Sequence, residues 1–393
     1  MYEGHTDMTA EPESVLLILQ GAMLEGHPGI VDGYERLRTS GQVREVRVVP
    51  VDGPRGVRRG ALFWRDAIAQ AHDIDASLVV FTYYHSPHLP DPRPAIEALR
   101  RLPSRPFVVS MLGDPFMNGY MQRPSVPKPF LQAAEASELV TLTSMGALAD
   151  HIARHTNAAI MLLPNGACQV RFAPAAKRST SPPLPDFDVA FVGSRNTARN
   201  PARPYFWLGR RRERLVAELH RRHGDRFAVF GHRWDRLPVA RGPVPYDQQV
   251  SAVRRARVVV GGVPFSHERY YTSDRVFVQM LSGVPLVDVA VDGVGAMARH
   301  REHWLLVKER DVADAVDEVL TWSNERRSAM GSAAATLVLE RHSQNHRVAA
   351  LLENVRRRRL LNGVAEPYLP FFLDEAEARR EASMATRNWG SAP

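Results

Sequence analysis

Eleven near-continuous apolar runs, separated by helical patterns, constrain this chain more than any other feature. In the first half they are SVLLILQG (14–21), VREVRVVPV (43–51), SLVVFTYY (77–84), RPFVVSML (105–112), ELVTLTS (138–144) and AAIMLLPNG (158–166). In the second half they are DVAFVGS (188–194), RFAVFG (226–231), RVVVGG (257–262), PLVDVAV (285–291) and HWLLVK (303–308). A strand that is apolar at nearly every position is buried on both faces, and a parallel sheet covered by helices on each side requires that. Stretches such as IVDGYERLRTSG, PAIEALRRL and RRRERLVAELHRRHG supply the helices between. The expected fold class is therefore α/β, with doubly wound sheets.

The series breaks once, at the polar, proline-rich stretch PAAKRSTSPPLP (174–185), which reads as a linker. A chain of 393 residues, 44% of them hydrophobic, exceeds one core of usual size. The expected organisation is a Rossmann-like unit over 1–175, a linker over 176–187, a second Rossmann-like unit over 188–350, and a C-terminal helix and tail over 351–393, disordered from residue 379. Two tandem units of this kind face each other across a cleft. Ligands then sit outside the carboxyl ends of the strands.

Composition removes several classes of protein. No apolar run approaches the ~20 residues of a membrane helix, so no membrane span is expected. The opening segment MYEGHTDMTAEPES is polar and acidic, unlike a signal peptide. A single cysteine, Cys168, excludes an intramolecular disulfide and a cysteine-based zinc site. The expected location is the cytoplasm. The net charge is +8, and all but Lys128, Lys177 and Lys308 of the 51 basic side chains are arginine. Such a bias fits a GC-rich genome, and it favours anionic partners. RRRR (356–359) lacks the interleaved aromatics of single-strand binders. It reads as a solvated helix face, and no nucleic-acid partner is expected.

The strand-end loops carry the candidate chemistry. In QGAMLEGHPGIVDGYERL (20–37), Gly21, Gly26 and Gly29 allow close backbone approach to a ligand, and Glu25 and His27 lie on the same loop. His27 is a candidate proton acceptor. MLGDPF (111–116) ends a strand with Asp114, a second candidate base. TYYHSPH (82–88) offers Tyr83, Tyr84 and His85 to an acceptor. GSRNTARNPARP (193–204) brings arginines suited to bidentate contact with a diphosphate. Thr272, Ser273 and Asp274 open a helix within HERYYTSDRVFVQMLSGVPLVD (267–288) with capping side chains.

Other patterns mislead. DGVGAMA (292–298) imitates a dinucleotide fingerprint but follows a late strand. HIARH puts His151 and His155 one helical turn apart without the glutamate of a zinc protease motif. The triplets Asp73 to Asp75 and Asp186 to Asp188 precede strands rather than end them. No metal site is expected.

DVAFVGSR, FAVFGHRW, RVVVGG, YYTSDRVFVQMLSGVPLVD and HWLLVKERDVADAVDEVL, taken in order, resemble the donor domain of GT-B glycosyltransferases, in the group 1 family related to the CgeB spore-maturation proteins. MLGDPF and LPNGACQVRF, with Phe172 six residues beyond LPNG, are similar to segments of the first GT-B domain. The resemblance implies a metal-independent glycosyltransferase with no cofactor beyond a nucleotide-sugar co-substrate (a UDP-, dTDP- or GDP-sugar). The acceptor would be a hydroxyl or amine on a small molecule or glycan, with antibiotic or other natural-product biosynthesis as a setting. It implies that Gly193, Ser194 and Arg195 face the donor diphosphate, helped by Arg212. Gly231, His232 and Trp234 would lie near the base, and Ser273, Asp274 and Arg275 near phosphate or ribose. His27 or Asp114 would serve as base, and Glu25, Tyr83, Tyr84 and His85 would meet the acceptor. The chain departs from the pattern at Val278, where many relatives carry a ribose-binding glutamate, and at Tyr270, eight residues earlier, with Glu268 nearby. That departure raises the alternative of a degenerate scaffold that binds a nucleotide or a partner.

Overall fold

The computed structural model describes residues 11–19, 28–51, 60–84, 89–115, 124–172, 185–195, 200, 206–262, 265, 268–361 and 367–374. The expected tail from 379 lies outside them, as does nearly all of the expected linker.

Each apolar run forms a strand. The first sheet holds β1 (Glu13–Leu19), β2 (Val43–Pro50), β3 (Leu78–Thr82), β4 (Phe107–Met111), β5 (Leu139–Leu142) and β6 (Ala159–Leu162), in the order β2-β1-β3-β4-β5-β6. The second holds β7 (Phe187–Val192), β8 (Phe227–Phe230), β9 (Ala256–Val260), β10 (Leu286–Val289) and β11 (Leu305–Val307), in the order β11-β10-β9-β7-β8. All pairings within both sheets are parallel. β1, β3 and β5 are buried at every position, the outcome that unbroken apolar runs demand.

Helices cover the first sheet: α1 (Pro28–Thr39), α2 (Gly60–Asp73), α3 (Arg93–Arg100), α4 (Lys128–Glu135) and α5 (Ala147–Ala153). The second sheet is flanked by α6 (Phe206–His223), α7 (Gln249–Val253), α8 (Asp274–Met280) and α9 (Val312–Thr321), followed by α10 (Asn324–Arg341) and α11 (Gln344–Leu360). In each sheet the chain reverses its winding at one strand. β1 pairs with both β2 and β3, and β7 with both β8 and β9. Loops leaving such a strand diverge from their neighbours and open a crevice.

The last helix does not stay with the second unit. The expected boundary at residue 350 falls inside α11, which crosses back and packs on α1. Gly33 makes this approach close, since a Cβ there would lie 3.1 Å from Asn345 Cα. Gly29, expected in a ligand-binding loop, instead lies in α1, where a Cβ would meet Gln344 Oε1 at 2.5 Å and Cys168 Sγ at 3.0 Å. It is a packing glycine; Gly21 and Gly26 lie outside the described residues.

The RRRR run is likewise not a solvated face. Arg359 holds both carboxylate oxygens of Glu13 at 2.5 and 2.6 Å and also donates to the Ser77 carbonyl. Arg356 donates to the Gln42 carbonyl at 2.5 Å. These arginines fasten α11 to the first unit.

Candidate active site

The donor-side loop after β7 is built by backbone interlocking. Gly193 N–H donates to the Phe230 carbonyl at 2.8 Å, and Arg195 N–H to the His232 carbonyl at 3.0 Å. Gly231 has φ +149°, and a Cβ there would stand 2.4 Å from the Gly193 oxygen. Only glycine lets the two strand ends come this near. Ser194 Oγ accepts the His232 N–H at 3.3 Å, and both residues are exposed at the crevice.

Trp234, expected beside a base, is buried with Nε1 donating to the Gly193 carbonyl at 2.7 Å. Its ring meets Phe191 edge-on. It supports the loop from beneath and has no face to offer a ligand. Arg212 is buried too, with Nη1 donating to the Ser194 carbonyl at 3.1 Å. Arg195 is paired with Glu213 at 2.8 Å.

Arg275 differs. Its Nη1 reaches to 3.7 Å from where a Cβ on Gly193 would sit. No carboxylate among the described residues lies within ion-pair distance of it. An unpaired, partly buried guanidinium at the end of β7 is a ready anion contact. Next to it, Asp274 Oδ1 accepts the Arg275 N–H at 2.8 Å, and Asp274 Oδ2 accepts the Tyr246 hydroxyl. Ser273 stands at the start of α8 with no side-chain cap bond. Val278 is buried in the core.

The first unit contributes Asp114, which opens into the crevice just beyond β4. Tyr271 of the second unit donates its hydroxyl to Asp114 Oδ1 at 3.0 Å. Surrounding protein, then the negative Asp274, push the Asp114 carboxyl above its usual range; the Tyr271 hydrogen bond and Arg275 pull the other way. Tyr83 packs its ring over Gly113, 3.1 Å from where a Cβ would be. Burial, Asp274 and Asp114, in that order, raise its hydroxyl far above the ordinary tyrosine value and keep it protonated.

Tyr84, expected to meet an acceptor, points the opposite way. It is fully buried, edge-on to Phe81, and donates to the Pro90 carbonyl at 2.8 Å. Tyr83 lies just past the end of β3 with φ +57°, in the left-handed region, so the two neighbouring rings leave the chain in different directions. Glu25, His27 and His85 lie outside the described residues.

Two further ties close the junction. Asn165 Nδ2 donates to the Thr272 carbonyl at 3.1 Å, and Met145 N–H to the Arg269 carbonyl at 2.9 Å. Beside the second tie, Glu268 is fully buried against Ser144 Oγ at 3.3 Å and the Leu148 N–H at 3.5 Å, with Oε1 unpartnered. Burial raises its carboxyl to about 7. Behind the loop after β6, Arg347 is buried, with Nε donating to the Pro164 carbonyl at 2.8 Å and Nη2 to the Asn165 carbonyl at 3.2 Å. Tyr246 and Arg347 carried no recognisable motif in the sequence; Asn165 and Tyr271 stood inside segments already singled out, LPNGACQVRF and YYTSDRVFVQMLSGVPLVD, but not as site residues.

Among the described residues no group of three or more His, Cys, Asp or Glu is placed to hold a metal ion. His151 and His155 stand ring to ring at 4.5 Å without a third ligand. No described helix is long and apolar enough to cross a membrane.

This architecture matches solved structures along nearly the whole chain. A glycosyltransferase from Rickettsia africae aligns with TM-score 0.59 at 10% identity, over 90% of this chain and all of its own. Anabaena Alr3699/HepE, in complex with UDP and glucose, aligns with TM-score 0.53 at 12% identity, over 88% and 99%. A trehalose 6-phosphate synthase from Burkholderia multivorans aligns with TM-score 0.53 at 12% identity, over 89% and 100%. The fold is GT-B: two Rossmann-like units facing across a cleft. Residues 210–353 match the family of glycosyl transferase-like proteins, and no curated protein matches the chain. The fold is thus that of GT-B proteins, and the matched segment, in the second unit and the helices after it, is similar to glycosyl transferases.

Proposed function

We propose that the chain transfers a sugar from a nucleoside-diphosphate donor to an acceptor hydroxyl or amine without a metal ion. The guanidinium of Arg275 beside Gly193, with no carboxylate of the described residues at ion-pair distance, carries this reading. Its neighbours Ser273, Ser194 and exposed His232 complete a rim suited to a diphosphate and its nucleoside. UDP is the first donor nucleotide to test because the Anabaena protein was crystallised with it; dTDP and GDP follow.

In the transfer, the bond from the sugar's anomeric carbon to the phosphate oxygen breaks and a bond to the acceptor oxygen forms. Asp114 Oδ2 takes the acceptor proton, while Tyr271 holds Oδ1. The nucleoside diphosphate leaves against Arg275, an electrostatic contribution that needs no reorganisation at the moment of reaction.

The test is thermal unfolding against UDP, GDP, dTDP, ADP and CMP. A ligand at ~100 times its dissociation constant stabilises the fold by about 2.7 kcal/mol. A shift with one diphosphate and none with CMP supports the reading; no shift with any refutes it. Buried Val278 favours one other reading, a scaffold that binds nucleotide without transfer. Hydrolysis of a bound sugar nucleotide, beyond the uncatalysed rate and lost in Asp114→Asn, would eliminate it.

A further inference from the structure

A small enclosed cavity lies at the carboxyl edge of the first sheet, roofed by α1 and α11. Ile30, Tyr34, Met111, Thr143, Asn165 and Val348 are among the residues lining it. It offers about 30 Å³ to water-sized contents. That is room for roughly two waters or the tip of a ligand, since one water needs about 10–15 Å³ on this measure.

The hydroxyl of Tyr34 stands out in its wall. Tyr34 is 1% exposed, and its hydroxyl has no hydrogen-bond partner among the described residues. Burial raises that hydroxyl far above the ordinary tyrosine value, so it stays a neutral donor. Leaving a buried hydroxyl without a partner is unfavourable, because the group has lost its hydrogen bonds to water. A ligand or water that accepts from it recovers that energy. The cationic residue in the wall is already engaged, because Arg347 donates to the carbonyls of Pro164, Asn165 and Arg341. The cavity therefore favours an uncharged occupant.

The cavity adjoins the reactive groups. Thr143, in its wall, donates to the Gly113 carbonyl, and the next residue is Asp114. Tyr83 lines the cavity and packs on Gly113. Asn165, also in the wall, bonds to Thr272 of the second unit.

We propose that this cavity is an acceptor subsite that takes the small, uncharged, mainly apolar end of a small-molecule acceptor, with an oxygen of that end accepting from Tyr34. The inference rests on the transferase reading, and it sets the acceptor apart from a polysaccharide, whose rings are too large and too polar to enter.

The test is saturation-transfer NMR on the full chain, with methanol and ethanol as probes and maltotriose as contrast, each with and without UDP. Wild type is expected to saturate the alcohols and not maltotriose. Val348→Phe, which fills the cavity, is expected to weaken alcohol binding at least tenfold, and Tyr34→Phe three- to tenfold, with the UDP melting shift unchanged in both. Equal alcohol binding in wild type and in both variants would overturn the proposal, as would binding of maltotriose alone or of no probe. If Val348→Phe does not fold, Tyr34→Phe decides by itself. Absence of a UDP shift in wild type would count against the donor reading, whereas the alcohol comparison judges the cavity separately.

Discussion

The hydroxyl of Tyr271 and the carboxylate of Asp114 meet at 3.0 Å across 157 residues of sequence, one from each unit. The bond joins the candidate base to the segment that leads into Arg275. Domain geometry and base ionisation are thus coupled through one contact.

Removing that contact has a defined sign. The Tyr271 bond lowers the Asp114 carboxyl, which burial and Asp274 raise. Tyr271→Phe should therefore push it further up and move the acid limb of the rate profile to higher pH. Asp114→Asn should lower kcat by roughly 10²- to 10⁴-fold while leaving nucleotide binding intact. Steady-state rates from pH 5 to 9, with nucleotide titrations in parallel, measure both.

Arg275→Ala should weaken nucleoside-diphosphate binding by about 1.5–3 kcal/mol, the range for a charge-assisted hydrogen bond. No ion pair among the described residues is broken in the free protein, so the apo melting temperature should hardly change. Calorimetric titration with UDP, beside a melt without ligand, separates the two effects. A large loss of apo stability would contradict the geometry.

Glu268 makes stability depend on pH. Its folded value, about 7, stands above the ordinary glutamate value of 4.5. The folded state therefore holds the proton more tightly. The contribution is fully present below pH 4.5 and is lost as pH rises through 7. Glu268→Gln should melt higher than wild type at pH 8, by roughly 1–3 kcal/mol, with the advantage vanishing near pH 4.5. Melting curves of both proteins over that range provide the check.

Arg347→Met should destabilise by about 3–5 kcal/mol, since it removes a buried charge and leaves the Pro164 and Asn165 carbonyls without donors. Arg357→Met, where a half-exposed i,i+4 pair with Glu353 and the contact of its guanidinium over the Tyr368 ring are lost, should cost only about 1 kcal/mol. Urea denaturation of the pair tests whether α11 is anchored at its buried or its exposed arginines.

The strands were legible because a doubly covered parallel strand writes its burial into every residue. Gly193, Ser194 and Arg275 were named through the resemblance to the GT-B donor domain, and the structure brings Arg275 at the start of α8 beside Gly193 after β7. What stayed hidden depends on elements distant in sequence. Tyr84 and Tyr83 are the same side chain, and only the left-handed backbone of Tyr83, φ +57°, and the path to Pro90 send one to the core. Trp234 reads as a ligand-stacking ring until the Gly193 carbonyl is seen to occupy its Nε1. Gly29 reads as a loop glycine until α11 is known to lie against it. RRRR reads as solvated because Glu13 and Ser77, its partners, are some 280 to 350 residues away.

The return of α11 to α1 sets an order on synthesis. The first unit emerges from the ribosome complete in its strands but with the groove beside Gly33 uncovered, and Glu13 waiting for Arg359. The entire second unit must be translated before that groove is filled. Nascent chains halted after residue 343 would present an apolar seam on a unit otherwise ready to fold, and a chaperone would bind that seam until the helix arrives.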